Sequence, residues 1–521
     1  MRNVAVGTVP AERWRILLFV GLSLSIGWGI RGNFGHEWGA ALPGALAGMA
    51  VVLLSQREDW HRRIAYFAMF GAIGWFFGGS MAYMIAIAYT HSGHSPSVLY
   101  GFFCLFVIGF LWGAIGGGAT ALPAFLSRGR LAQFCTPLGV IFLAWWVEAM
   151  LEVRFIDSNS AFSRHSPLDW FDTNWVAALL AMLVVFVRAA IRRKLDWAER
   201  LILVLSAGWW AGFLLLTVLL RLHMIPGRSD NWAGSIGMTV AFWIYLHRHR
   251  LHGVSLAALT TGMIGGLGFA GATLFKLIEV KSGVATNWHS ILEQTYGLIN
   301  GFALAFAIEG LRARAPRVTD DPPAHRWTEA FAVCFVLLAI PYFNLSKEVD
   351  DWIAAKTIPP VMYVLTTHAW FDLIYALGAG TFLLLLREHL RRPLPIVPAN
   401  LIGKGQMLYL ALLWWMVIGN FTKAVVAFAP ERLVTEGVIT VNALLCTLMA
   451  LLWARTGPQP EAAATPDYAP SIRRTAAVGA AVAVLSMLMC WGIVRALYGD
   501  AFAGYAGHHI RFGPNSTSNK N

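Results

Sequence analysis

The stretch NWHSILEQTYGLIN carries His289, Glu293, Tyr296 and Asn300 at steps of four, three and four residues. In a helix those steps set all four side chains on one face. An imidazole and a carboxylate one turn apart suit general acid–base work. Gly297 and Gly301 continue the same face and allow a neighbouring helix to come close. Asn287 and Trp288 open the stretch.

A second polar stretch, RGNFGHEWGAALPG, begins at Arg31 and holds His36, Glu37 and Trp38. A third, GRSDNWAG, holds Arg228, Asp230, Asn231 and Trp232. Arginine forks suit bidentate binding of carboxylate, phosphate or sulfate. The plainer alternative pairs Arg31 with Glu37 and Arg228 with Asp230, and Asp230 also suits a helix N-cap.

Three carboxylates, Glu37, Asp230 and Glu293, supply what glycoside hydrolysis needs, one protonated acid and one ionised nucleophile or base, with His289 as a base for glycosyl or acyl transfer. The expected catalytic set is therefore Glu37, Asp230, Glu293 and His289. Trp38, Trp232 and Trp288 stand beside Glu37, Asn231 and Asn287, where an indole face can stack on a sugar ring ringed by hydrogen-bonding groups. The expected substrate-binding set is Arg31, His36, Trp38, Arg228, Asn231, Trp232, Asn287, Trp288 and Tyr296. Glu148 with Glu152, His91 with His94, and His368 with Asp372 are weaker pairs, and Lys423 is placed to meet Asp372.

The elements that must position these groups are apolar. The chain has 521 residues, 57% hydrophobic and 13% charged, against roughly 25% charged in soluble domains. Its apolar runs lack the two-residue alternation of barrel strands, so the fold class is an all-α polytopic membrane protein with about fifteen transmembrane helices. The expected spans are 14–32, 36–55, 63–90, 97–118, 131–154, 172–192, 198–222, 229–246, 255–280, 288–312, 327–345, 361–387, 405–428, 434–454 and 475–496. The short spans 36–55 and 229–246 also suit re-entrant or tilted segments. Residues 1–30 have a basic start but no small-residue cleavage site, and read as a retained first helix.

Basic loops such as QREDWHRR (56–63), SRGR (127–130) and RARAPR (312–317) alternate with non-basic ones such as THSGHSPS (90–97) and EVKSGVATN (279–287). This alternation puts the N-terminus in the cytoplasm of a bacterial inner membrane and the polar stretches near the outer face. The net charge of +12 thereby belongs to membrane orientation and argues against a nucleic-acid partner. Segments 69–85 and 259–275, 97–115 and 290–308, and 31–40 and 227–234 resemble each other at offsets of roughly 190–197 residues, which suggests a parallel internal duplication. The expected organisation is a first repeat with a linking helix (1–192), a second repeat (193–320), an appended bundle (321–496) and a polar extracytoplasmic tail (497–521).

Five cysteines stand singly in apolar runs, and no metal-ligating spacing, dinucleotide fingerprint or nucleophile elbow occurs, so no cofactor or metal is expected. The leading expectation is a membrane-embedded enzyme acting at the extracytoplasmic face on a carbohydrate or lipid-linked sugar, by hydrolysis or transfer. The alternative is a proton-coupled secondary transporter of a small polar or anionic solute. A sensor or scaffold explains so many spans poorly, because no soluble output domain is attached. The partners implied are the lipid bilayer and that substrate; the sequence sets no oligomeric state.

Overall fold

Gly35 turns the chain between its first two helices. Its backbone lies at φ 68 and ψ −174, a conformation reserved for glycine, so α1 (Ala11–Phe34) folds back onto α2 (His36–Leu54) across a single residue. A computed structural model describes residues 11–155, 167–225, 230–318, 326–391, 398, 400–426, 430–455 and 466–499. Arg228, the side chain of His36 and residues 500–521 of the expected tail lie outside them.

A short α3 (Glu58–His61) leads to α4 (Ile64–Gly78), α5 (Met84–Tyr89), α6 (Ser95–Phe125) and α7 (Arg128–Phe155). Next come α8 (Trp175–Arg192) and α9 (Trp197–Gly212), which runs on as a π-helical turn, Phe213–Leu219. The middle of the chain ends with α10 (Asn231–Arg248), α11 (His252–Val280) and α12 (Trp288–Arg312). The rest comprises α13 (Arg326–Cys334), a π-helical segment Phe335–Ala339, α14 (Ile340–Leu345), α15 (Lys347–Ala354), a hairpin of β1 (Val361–Met362) and β2 (Leu365–Thr366), α16 (Thr367–Arg391), α17 (Leu401–Val426), α18 (Pro430–Trp453) and α19 (Ala469–Tyr498).

Thirteen helices among the described residues are long and apolar enough to cross a membrane. The protein is thus an all-α, multi-pass membrane protein, as its composition predicts. The shortfall from about fifteen falls on two segments. The expected span 63–90 is broken: α4 stops at Gly78, residues 79–83 leave the helix, and α5 restarts at Met84. Segment 229–246 forms α10, which is helical but is not among the thirteen apolar candidates. The expected span 361–387 begins only at Thr367, after the hairpin.

Six helices close a ring, each packed on the next in the order α1, α2, α4, α6, α11, α12 and back to α1. Small residues let the backbones meet. A Cβ added at Gly297 or Gly301 of α12 would fall 2.7 Å from Leu24 O and 2.5 Å from Gly21 Cα of α1. The interior holds Trp28, Trp75, Trp112 and Tyr296, all fully buried, with Trp28 edge-on to Trp112 and Tyr296 at 4.5 and 4.6 Å. Helices α7 to α10 pack together outside the α4–α6 side, while α17 and α18 flank α1 and α2.

One end of this ring is tied by Arg57 and Arg63, both buried. Arg57 binds both Asp59 oxygens at 2.8 and 2.7 Å and the carbonyls of Arg312, Ala315 and Pro316. Arg63 binds Asp59 and the carbonyls of Pro123 and Leu126. Burial alone would raise the Asp59 carboxyl, but the Arg57 hydrogen bonds and the charges of Arg57 and Arg63 outweigh it and hold it below the usual aspartate range. Both guanidinium groups come from the loop QREDWHRR, read from the sequence as basic loop charge that orients the chain. They also stitch the ends of α2, α6 and α12 together.

Candidate functional site

The other end of the ring gathers the polar residues the sequence singled out. The one-residue turn at Gly35 leaves Arg31 on the last turn of α1 and Glu37 on the first turn of α2. Side chains from this single stretch point to three different partners.

Arg31 faces the ring interior. Its Nη1 donates to Glu293 Oε1 at 2.8 Å and to the hydroxyl of Tyr83, which in turn donates to the same Glu293 oxygen. The alternative pairing of Arg31 with Glu37 is therefore replaced by a pairing across 262 residues. Both groups are buried, at 7% and 1% side-chain exposure. The guanidinium also lies over the rings of Trp28, Tyr83 and Trp112 at 5.4, 5.1 and 5.1 Å, contacts that favour a desolvated cation. His289 Nε2 stands 3.6 Å from Glu293 Oε1, and its ring stacks on Tyr83. Its side chain is 29% exposed, so this histidine links the cluster to the surface. The charge of Lys276, on the last turns of α11, bears on both Glu293 and His289.

This cluster leaves polar atoms without hydrogen-bond partners: Arg31 Nε, Glu293 Oε2, His289 Nδ1 and Tyr296 OH. Asn300 Oδ1 continues the series one turn further along α12. A buried polar group left unpaired costs about 1–3 kcal/mol, more when it is charged. From His289 to Asn300 is eleven residues, about 16 Å along the helix axis. The polar face expected for 287–300 thus runs from the surface to the middle residue of α12.

Glu37 points elsewhere. Its Oε1 accepts from Asn174 Nδ2 at 2.8 Å. Asn174 N in turn donates to Asn231 Oδ1 at 3.0 Å, and Asn231 Nδ2 donates to Ser80 O at 3.1 Å. Glu37 also lines a cavity of about 560 Å³ between α4 and α6 to α10, together with Glu148, Glu152 and Asp172. Asp230 forms a third set: its Oδ2 meets His223 Nδ1 at 2.7 Å, and its Oδ1 accepts from Trp232 Nε1 at 3.1 Å. The three expected catalytic carboxylates thus bond in three separate sets. The Ser80–Tyr83 break lies between two of them, with Ser80 touching Asn231 and Tyr83 touching Glu293.

The other expected residues whose side chains are described have structural partners. Trp38 packs among Phe76, Phe142, Phe335 and Phe343, stacked on the last at 4.4 Å. Asn287 caps α12, its Oδ1 accepting from Ser290 N at 3.2 Å, and Trp288 Nε1 donates to Val284 O. Lys423 meets Glu348 at 2.5 Å instead of Asp372, and His368 meets Asp350 at 2.7 Å instead of Asp372.

Sequence reasoning missed Tyr83, Asn33 and Asn174. Asn33 donates to Asn420 and Glu436 at 2.7 and 2.8 Å, the third direction taken from the α1–α2 turn. The signal for Tyr83 was present in Gly78-Gly79-Ser80, a turn-forming run that ends α4. Set against known proteins, the chain matches no family model, no curated protein and no solved structure.

Proposed function

We propose that the protein is a membrane-embedded enzyme that acts at the extracytoplasmic face on a carbohydrate or lipid-linked sugar, with Glu293 as its base. The observation that carries this reading is the set of unpaired polar atoms around Arg31 and Glu293. A sugar hydroxyl supplies both halves of what is missing: it donates to Glu293 Oε2 and accepts from Arg31 Nε. The surrounding Trp28, Trp112, Tyr83 and Tyr296 rings add apolar faces of the kind sugars stack on.

Transfer fits better than two-carboxylate hydrolysis, because Glu37 and Asp230 bond in other sets. Glu293 takes the proton of an acceptor hydroxyl as that oxygen attacks the anomeric or acyl carbon. The bond to the leaving group breaks, and His289 protonates the departing oxygen. Arg31 holds Glu293 in place through its Nη1 bond to Oε1.

Loop charge supports the cytoplasmic N-terminus that puts this end of the ring outside. The proposed duplication makes α4 and α11, and α6 and α12, counterparts; all four helices belong to the ring.

A second reading, proton-coupled transport, is favoured by one observation: the break between α4 and α5 at the charged cluster resembles the discontinuous helices of transporters. Glu293→Gln separates the two. On the enzyme reading it shifts periplasmic glycan or lipid-linked sugar pools and leaves solute uptake intact. Unchanged pools with lost uptake would overturn the enzyme reading.

A further inference from the structure

A groove of about 620 Å³ runs beside the ring where α1, α11 and α12 meet α19. Along α11 its lining runs from Leu256 to Leu267, eleven residues or about 16 Å, close to half of the roughly 30 Å hydrocarbon core of a bilayer. Leu17, Ile264, Phe306 and Val482 make its walls apolar. Its charges gather at one end, where α1 and α19 begin and α12 has just ended. There Arg13, Arg314 and Arg474 line it with Ser471 and Thr475. Arg314 is held at the mouth, its Nη2 donating to Asp467 O at 2.8 Å and its guanidinium lying over the Tyr468 ring at 4.4 Å. Among the described residues of the lining Glu309 is the acidic one, and it pairs with Arg312 at 3.2 Å.

We infer that this groove holds one phospholipid of net negative charge, an acyl chain along α11 and the phosphate among Arg13, Arg314 and Arg474. Guanidinium forks suit phosphate, the hydroxyls of Ser471 and Thr475 add donors, and basic pockets between membrane helices bind anionic head groups. The excess of cations does not hang on how the neighbouring stretches are placed. Segments 1–17, 309–325 and 455–475 hold nine arginines against six acidic residues. The six include Glu12, Asp320, Asp321 and Glu461, whose side chains lie outside the described ones. Arg13 and Arg474 are exposed, so a lipid reaches them from the bilayer without opening the ring. The charged mouth lies at the end tied by Arg57, which binds the Arg312 carbonyl. It is the far end from Arg31 and Glu293, and the inference does not rest on the carbohydrate reading.

The test uses the full chain in detergent, titrated with phosphatidylglycerol and with phosphatidylcholine of the same acyl chains. Native mass spectrometry counts the lipid retained. One phosphatidylglycerol is held per chain, at least about tenfold more tightly than phosphatidylcholine. Arg13→Gln with Arg474→Gln brings the two lipids to within about threefold of each other. Gly310→Phe, placed where an added Cβ meets nothing within 4 Å, fills the groove and removes the retained phosphatidylglycerol. Equal retention of the two lipids by the unaltered protein overturns the inference, as does an undiminished preference in the arginine variant or full retention in the filled one. If either variant does not fold, the two lipids compared on the unaltered protein still decide. Glu293→Gln retains phosphatidylglycerol unchanged, so failure of the carbohydrate reading and failure of this one are told apart.

Discussion

Buried arginines sit at opposite ends of the same six-helix ring, Arg57 and Arg63 at one and Arg31 at the other, and the two ends differ in what they leave over. At the Arg57–Asp59–Arg63 end every guanidinium nitrogen and both carboxylate oxygens are bonded, mostly to carbonyls at helix ends. At the Arg31–Glu293 end one arginine nitrogen serves two partners, while Arg31 Nε and Glu293 Oε2 have none. A closed network holds a fold together; an open one has capacity for a ligand. Burial and charge alone do not separate the two, since both ends are buried and charged.

The comparison breaks most readily at the closed end. Arg63→Ala strips several charge-assisted bonds, one of them to the Asp59 carboxylate, so it should cost about 3–5 kcal/mol, read as a large drop in thermal stability in detergent. Gly35→Ala forces a side chain into a glycine-only conformation and should cost about 1–3 kcal/mol, since it loosens the turn that aims both Arg31 and Glu37. The Asp59 carboxyl, depressed in the folded protein, stabilises at pH above its unfolded value and loses that contribution as pH falls through the lower folded value. The stability gap between the unaltered protein and Asp59→Asn should therefore be full at neutral pH and close only below about pH 4. Tyr296→Phe has the smallest effect on stability. It removes a buried hydroxyl without a partner, so the ligand-free protein should be unchanged or up to about 1 kcal/mol more stable, with weaker substrate binding.

The sequence showed one of these ends and hid the other. The expected span 288–312 coincides with α12 because an Asn cap precedes an uninterrupted apolar face. His289, Glu293 and Tyr296 were legible because helical spacing alone aligns them. The partner of Glu293 was not, because Arg31 lies 262 residues away and Glu37 offered a closer carboxylate. The break before Tyr83 was masked because residues 81–90 remain apolar, and hydropathy counts composition, not continuity. Arg57 and Arg63 looked like loop charges because their partners are largely backbone carbonyls, which every residue carries and no spacing reveals.

The most direct test replaces the open pair as a unit. In Arg31→Met with Glu293→Leu no buried charge is left uncompensated, and such swaps are often neutral or stabilising. The account predicts thermal stability at or above that of the unaltered protein together with loss of the effect on glycan or lipid-linked sugar pools. A double variant that is destabilised as severely as Arg63→Ala, while those pools stay unchanged, would show that the Arg31 end is a structural lock like its counterpart and contradict the account.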